Sequence, residues 1–311
     1  IEIAREICGD RLVVESFPWI NDFAAARNFS LGAAARTGAE WAMNLDTDER
    51  IEPNGHDIRA LLAAADTDAV FLGHVDGHYE KERFFRMPMR GHYHGPTHEA
   101  WWGGSRTTAK GPKFREEWKD SDGLQHKLQR DEAILAKHTA ENPTDPRWWY
   151  YYGDTLANLE KHEEAIAAFG KVIDLDGWDE EAGWAAYRAA RILGDNLKRW
   201  TDAEAMCARG LTRHPAMVEL YWCAGYSAYW GGKYPRAMHW ARAAVALNAK
   251  EDEGFIPPRG GFKYPAARRE GPWDVLRHSL RQLGNHEGAE FAEKMHAQMS
   301  EAGDRVETDP D

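Results

Sequence analysis

The stretch Trp148-Trp149-Tyr150-Tyr151-Tyr152-Gly153-Asp154-Thr155-Leu156-Ala157-Asn158-Leu159-Glu160-Lys161-His162-Glu163-Glu164-Ala165-Ile166-Ala167-Ala168-Phe169-Gly170 decides how the larger part of the chain folds. Trp149, Gly153 and Leu156 recur at helical spacing, and Ala165 and Phe169 stand four apart after a polar break at Glu160-Lys161. Two amphipathic helices separated by a short turn satisfy this pattern. The small residues let the paired helices approach, and Trp and Phe fill the gaps between stacked pairs, so the aromatic residues are core first.

The same arrangement returns downstream. Pro215 with Tyr221, Gly225, Gly232 and Ala237 repeats it, as do Trp273, Leu280, Gly284 and Ala289. A middle unit, residues 184–215, fits once a short insertion around Asn196-Leu197-Lys198 is allowed. These positions resemble the tetratricopeptide template, with about 34 residues and two helices per unit. The resemblance implies an all-α solenoid over residues 131–305 and a peptide or protein ligand in its concave groove. Ile256-Pro257-Pro258-Arg259-Gly260-Gly261-Phe262 interrupts the array and reads either as a packing loop or as an acceptor contact. Residues 306–311 read as a frayed polar tail.

Upstream, Glu40-Trp41-Ala42-Met43-Asn44-Leu45-Asp46-Thr47-Asp48-Glu49-Arg50 is an apolar run that breaks into alternating carboxylates. It predicts a buried strand delivering Asp46 and Asp48 to the crevice outside the carboxyl ends of an α/β sheet, where paired hard oxygens suit Mg²⁺ or Mn²⁺. An ordinary turn before Pro53 and Gly55 has the same composition. Around this run the spacing predicts helices over residues 1–8, 22–36 and 58–65. Strands are predicted over residues 11–15, 69–75, 83–86 and 95–102, the last two as an antiparallel pair at one sheet edge. Residues 103–123, rich in Gly, Lys, Arg and Ser/Thr, read as a long loop or lid whose Lys110, Lys113 and Arg115 could meet a diphosphate.

Phe23-Ala24-Ala25-Ala26-Arg27-Asn28, Leu45-Asp46-Thr47-Asp48-Glu49, Phe84-Phe85-Arg86, Thr97-His98-Glu99 and Lys127-Leu128-Gln129-Arg130-Asp131 together resemble family 2 glycosyltransferases of the GT-A fold. That resemblance implies a Rossmann-like nucleotide-sugar domain over residues 1–130, lacking its first strand because the chain enters partway through a βαβ unit. It implies a metal-dependent inverting transfer from a nucleoside-diphosphate sugar, a UDP-sugar at the family level, to an unidentified glycan, peptide or other acceptor. Arg27, Asn28, Asp46, Asp48, Lys127 and Arg130 would hold the donor. Mn²⁺ or Mg²⁺ would sit on Asp46 and Asp48, with His98 or His126 as third ligand, and Glu99 would be the general base, with Asp76 and Glu49 in reserve. The alternative is a non-enzymatic tetratricopeptide scaffold carrying a degenerate or truncated transferase domain.

With 311 residues and 43% apolar content the chain is long enough for two domains. A formal net charge of −12 argues against nonspecific nucleic-acid binding, which needs a basic footprint. Cys8, Cys207 and Cys223 have no metal-ligand spacing and read as reduced thiols of a cytoplasmic protein. No apolar run approaches the roughly 20 residues of a transmembrane helix.

Overall fold

In the computed structural model, residues 2–77, 79–117, 121–254, 256 and 263–306 are described, without the side chains of 121 and 302–306. The chain divides into two compact units, Ile1–Ile134 and Leu135–Asp311.

The first unit opens with α1 (Glu2–Cys8) and a 3-10 turn at Gly9–Arg11. Its second helix, α2 (Phe23–Ala35), starts where Asp22 Oδ1 accepts the Ala25 N–H at 2.8 Å, which satisfies one of the amides orphaned at a helix start. Then come β1 (Trp41–Met43), β2 (Glu49–Glu52), α3 (Ile58–Ala64), β3 (Ala69–His74), β4 (Glu80–Arg86), β5 (His92–His94), β6 (Ala100–Trp102) and β7 (Arg106–Glu116).

Five strands form one sheet in the order β1-β4-β3-β7-β2, and β5 pairs with β6 in a separate ribbon. Alternation along the strands splits the core between the two sheet faces. Ala69 and Phe85 pack with Ala24 and Leu31 of α2 and with Tyr93 and Trp101 of the ribbon. Val70, Leu72 and Phe84 face the other way, against Leu62 of α3 and Phe114.

This sheet differs from the Rossmann-like GT-A domain implied by the sequence motifs. Among the described strands of this sheet only β3 and β7 pair in parallel; β1–β4, β3–β4 and β2–β7 are antiparallel. The run before Asp46, expected as a buried strand, is a three-residue edge strand in which Ala42 is buried and Met43 exposed. Residues 83–86 lie within β4, inside the sheet, and residues 100–102 belong to the separate ribbon. Residues 103–123 contain the eleven-residue strand β7 where a loop was expected. Residues 12–15 form no strand, and Val13 and Val14 are exposed.

Helix α4 (Ser121–Glu141) spans the division between units. The second unit contains the helix pairs α5 (Pro146–Asn158) with α6 (His162–Asp174), α7 (Asp179–Arg191) with α8 (Trp200–Leu211), and α9 (Val218–Trp230) with α10 (Tyr234–Asp252). A four-residue helix, α11 (Pro265–Arg268), precedes the last pair, α12 (Gly271–Gln282) with α13 (His286–Val306). Each helix packs on the next, and the first helices of neighbouring pairs also meet, α7 on α9 and α9 on α12. This is a tetratricopeptide-like helical solenoid.

The small-residue positions account for the close packing. A Cβ at Gly153 would stand 2.8 Å from the Phe169 ring, and one at Gly225 would stand 3.4 Å from the α10 backbone at Ala237 and Ala241. The turn between paired helices needs one left-handed residue, supplied by Glu160, Lys198, Gly232 and Gly284 in successive units. The insertion at residues 196–198 begins at the end of a π turn, Ile192–Asn196, closed by Leu197 N donating to the Ile192 carbonyl at 3.1 Å. Of the Pro-Gly interruption only Ile256 is described; residues 257–262, and residues 307–311 of the tail, lie outside the described residues.

Candidate functional site

In the first unit, four of the residues singled out by motif come together. The Arg27 guanidinium donates to both Asp46 oxygens at 2.8 Å and through Nε to Glu99 at 2.5 Å, with its carbon 5.6 Å above the Tyr93 ring. Asn28 donates to the Tyr93 carbonyl at 2.9 Å and accepts from its N–H at 2.8 Å. Burial opposes the charge on Asp46, but the hydrogen bonds and charge of Arg27 outweigh it and hold the carboxyl below its usual range.

Asp46 and Glu49 also close a turn. Asp46 N donates to Glu49 Oε2 at 3.0 Å, and Glu49 N donates to the Asp46 carbonyl at 3.0 Å. Asp48 is half-buried in that turn, and its carbonyl accepts the Glu117 N–H at 2.8 Å. His98 is exposed with a positive φ of 50°. Lys127 is half-buried and His126 exposed on α4, while the Arg130 guanidinium pairs with Asp131 and stands 4.6 Å over the Phe23 ring. Among the described residues no group of three or more His, Cys, Asp or Glu side chains could hold a metal ion, so Asp46, Asp48 and His98 make no such cluster.

Beneath this cluster lies a buried ion-pair network. Arg83 and Glu49 have side chains only 2% and 1% exposed and are hydrogen-bonded to each other. Lys81 bridges Glu49, at 3.2 Å, to Glu116. Burial opposes the negative charge of Glu116, but Lys81 and Tyr79 hydrogen bonds outweigh it and bring the carboxyl down to about 2.

Glu82 goes the other way. Burial pushes its carboxyl above the usual 4.5, against the opposing pull of Arg83 and Arg27. An acid whose folded-state pKa is raised contributes stability below its ordinary value and loses it as pH rises through the folded value. Glu82→Gln is therefore expected to stabilise the first unit by about 1 kcal/mol at pH 7 and by nothing below pH ~4. Melting curves of both proteins across pH 3–8 check this, and a gain that persists at low pH refutes the account.

In the second unit the convergent feature is an aromatic face on the first helices of the repeats. Tyr187 and Arg191 are one turn apart on α7, and Trp222 and Tyr226 take the corresponding places one repeat later on α9. The Arg191 guanidinium stands 6.0 Å from the Tyr187 ring, 5.2 Å from Trp222 and 5.6 Å from Tyr226, and Nε donates to Asp195 at 2.6 Å. Burial works against the Arg191 charge, but Tyr187 and Asp195 outweigh it and keep the group charged. Trp184 extends the row, 4.6 Å from Tyr187, and Trp230, 56% exposed, ends it beside Tyr226.

Sequence reasoning placed the Trp-rich positions in the core and did not single out this face. Its signal was present as the Tyr187–Arg191 and Trp222–Tyr226 pairs, each four residues apart and set at the repeat period.

No family model and no curated protein matches the chain. Solved structures similar to it include a crystal structure of MamA, 12% identical, covering 61% of this chain and 99% of that one at a TM-score of 0.45. MamA 41-end from Desulfovibrio magneticus RS-1 is 17% identical, covering 58% and 89% at 0.43. The APC/C hetero-tetramer Cut9-Hcn1 is 16% identical, covering 57% and 31% at 0.40.

The mixed, mostly antiparallel sheet and the clamping of Asp46 by Arg27 correct the family 2 resemblance and the metal-dependent sugar-transfer activity inferred from it. The physical reason lies at Asp46, whose carboxylate is held by both arms of Arg27 in a closed turn. Among the described residues no helix is long and apolar enough to cross a membrane.

Proposed function

We propose that this chain is a protein-interaction scaffold whose repeats take a peptide segment of a partner on the face of α7 and α9. The observation that carries the reading is Arg191 set against Tyr187, Trp222 and Tyr226 on adjacent first helices. Tyr, Trp and Arg dominate the energetics of protein interfaces because they bring large apolar area together with a directional polar group. Repeat arrays place such residues on a continuous surface, since each first helix adjoins the next.

The test is selection of a random dodecamer peptide library on the immobilised full chain, followed by calorimetry of the enriched peptides. Tyr226 is only half-buried, so Tyr226→Ala is expected to leave the melting temperature nearly unchanged. It is expected to weaken the enriched peptides by roughly 10-fold or more. Enrichment of nothing, or of peptides indifferent to both Tyr226→Ala and Trp184→Ala, would sink the proposal.

A further inference from the structure

One residue of the chain already lies on this face. Tyr264, just ahead of α11, places its ring 5.1 Å from Trp222 at an interplanar angle of 27°, and 6.1 Å from Tyr187. Arg191 stands 5.9 Å from the same ring, so one guanidinium is shared by Tyr264 and three rings of the face. The Tyr264 N–H donates to Glu219 Oε1 at 3.2 Å, and Glu219 on α9 is fully buried. Yet Tyr264 itself is 36% exposed and its backbone is extended, with φ −122° and ψ 105°.

An extended backbone held through one N–H by a groove carboxylate, with an aromatic ring stacked on a groove Trp, is how a bound peptide would engage a helical face. We infer that Tyr264 is a resident surrogate for a ligand residue: the site takes an aromatic side chain, Tyr or Phe, from an extended partner segment, and that partner must displace Tyr264. This rests on the proposed function and adds to it the ligand's anchor residue and a built-in competitor.

The ring has the features of a displaceable occupant. Trp222, the ring it stacks on, is held independently by α12: a Cβ at Gly271 would stand 2.6 Å from the Trp222 indole nitrogen. The short helix behind Tyr264 is tethered separately, through Asn248 Nδ2 to the Ala267 carbonyl at 3.2 Å and through the Arg268–Glu251 ion pair. Removing the Tyr264 ring therefore opens the face without releasing α11.

Linkage sets the size of the effect. A tethered segment competes at an effective concentration on the order of 1 mM. If its intrinsic dissociation constant is about 100 μM, wild-type chain is closed by a factor of about 10 against any ligand of the same site.

The probe is the acetylated, amidated dipeptide Lys-Tyr, the chain's own residues 263 and 264, which leaves out the α11 residues that stay docked; it carries a fluorophore and is titrated by anisotropy against full-length protein. Tyr264→Ala is expected to bind it about 10-fold more tightly than wild type, and the peptide with Ala in place of Tyr is expected not to bind. Tyr264→Phe keeps the stacked ring and should remain as closed as wild type. Tyr264→Leu keeps apolar area but loses the planar ring, and serves as the opened variant should Tyr264→Ala fold poorly.

If Tyr264→Ala and Tyr264→Leu bind the probe no better than wild type, the inference is overturned. In that event, library peptides that still depend on Tyr226 keep the scaffold reading standing, whereas library peptides that bind neither protein overturn both.

Discussion

Replacing Arg83 with Leu is expected to remove about 3–5 kcal/mol from the first unit. The substitution leaves Glu49 buried, with Lys81 at 3.2 Å and the Asp46 N–H at 3.0 Å to answer its charge and without its guanidinium partner. It also takes the guanidinium from over the Phe114 ring, 4.9 Å away. Removing one partner of a buried pair costs more than removing both, because the remaining charge keeps its desolvation penalty. Arg83→Leu combined with Glu49→Leu is therefore expected to recover at least half the loss.

A two-unit chain need not unfold in one transition, so hydrogen exchange at the β3 and β4 amides is the suitable readout. Protection there should fall by two orders of magnitude or more in the single variant. A single variant as protected as wild type would show that the pair contributes nothing net.

The second large effect is in the repeats. Phe169 on α6 is fully buried, and Phe169→Ala is expected to cost about 3–5 kcal/mol through lost transfer energy and the cavity left behind. Gly153→Ala should by itself cost about 1–3 kcal/mol, since its new methyl would stand 2.8 Å from that same ring. Combined, the two should cost clearly less than their sum, because the added methyl enters the space the ring vacates. The second unit's thermal unfolding, followed for all four proteins, gives the coupling. Strict additivity would mean that Gly153 is not there for the ring.

This pair also shows why the repeats were legible in the sequence. Gly153 and Phe169 are one contact, and the spacing between them is the length of a helix, a turn and part of a helix, so local pattern and tertiary packing coincide. The helix α2 was legible for a similar reason, because Asp22 both signals the helix start and makes the cap bond.

The first unit was less legible because strand partners are not local. Trp41-Ala42-Met43 reads as buried from its composition, yet it lies at the sheet edge with Met43 exposed. In β7, residues 106–108 are exposed and only Phe114 and residue 112 are buried, so Thr107, Thr108, Lys110 and Lys113 give the strand a loop's composition. The acidic run at residues 46–49 carried a turn and an ion-pair clamp, two uses of carboxylates that composition cannot separate from metal binding. The aromatic face went unread for the opposite reason: its residues are half core, half surface, and were assigned wholly to the core.

The π turn at Ile192–Asn196 has a consequence for how such an array accommodates change. Its extra backbone is absorbed within one bulged turn, tucked in by Gly194, where a Cβ would stand 2.8 Å from the Trp200 ring. Helices α8 and α9 then resume their places against α7. Length in residues and rotational phase along the solenoid are thereby uncoupled: an insertion lengthens the second repeat's text without turning the stack that follows. Arg191, the last residue before that bulge, keeps its alignment with Trp222 and Tyr226 for the same reason, so the place where the chain tolerates a slip is also where its aromatic row crosses from one repeat to the next.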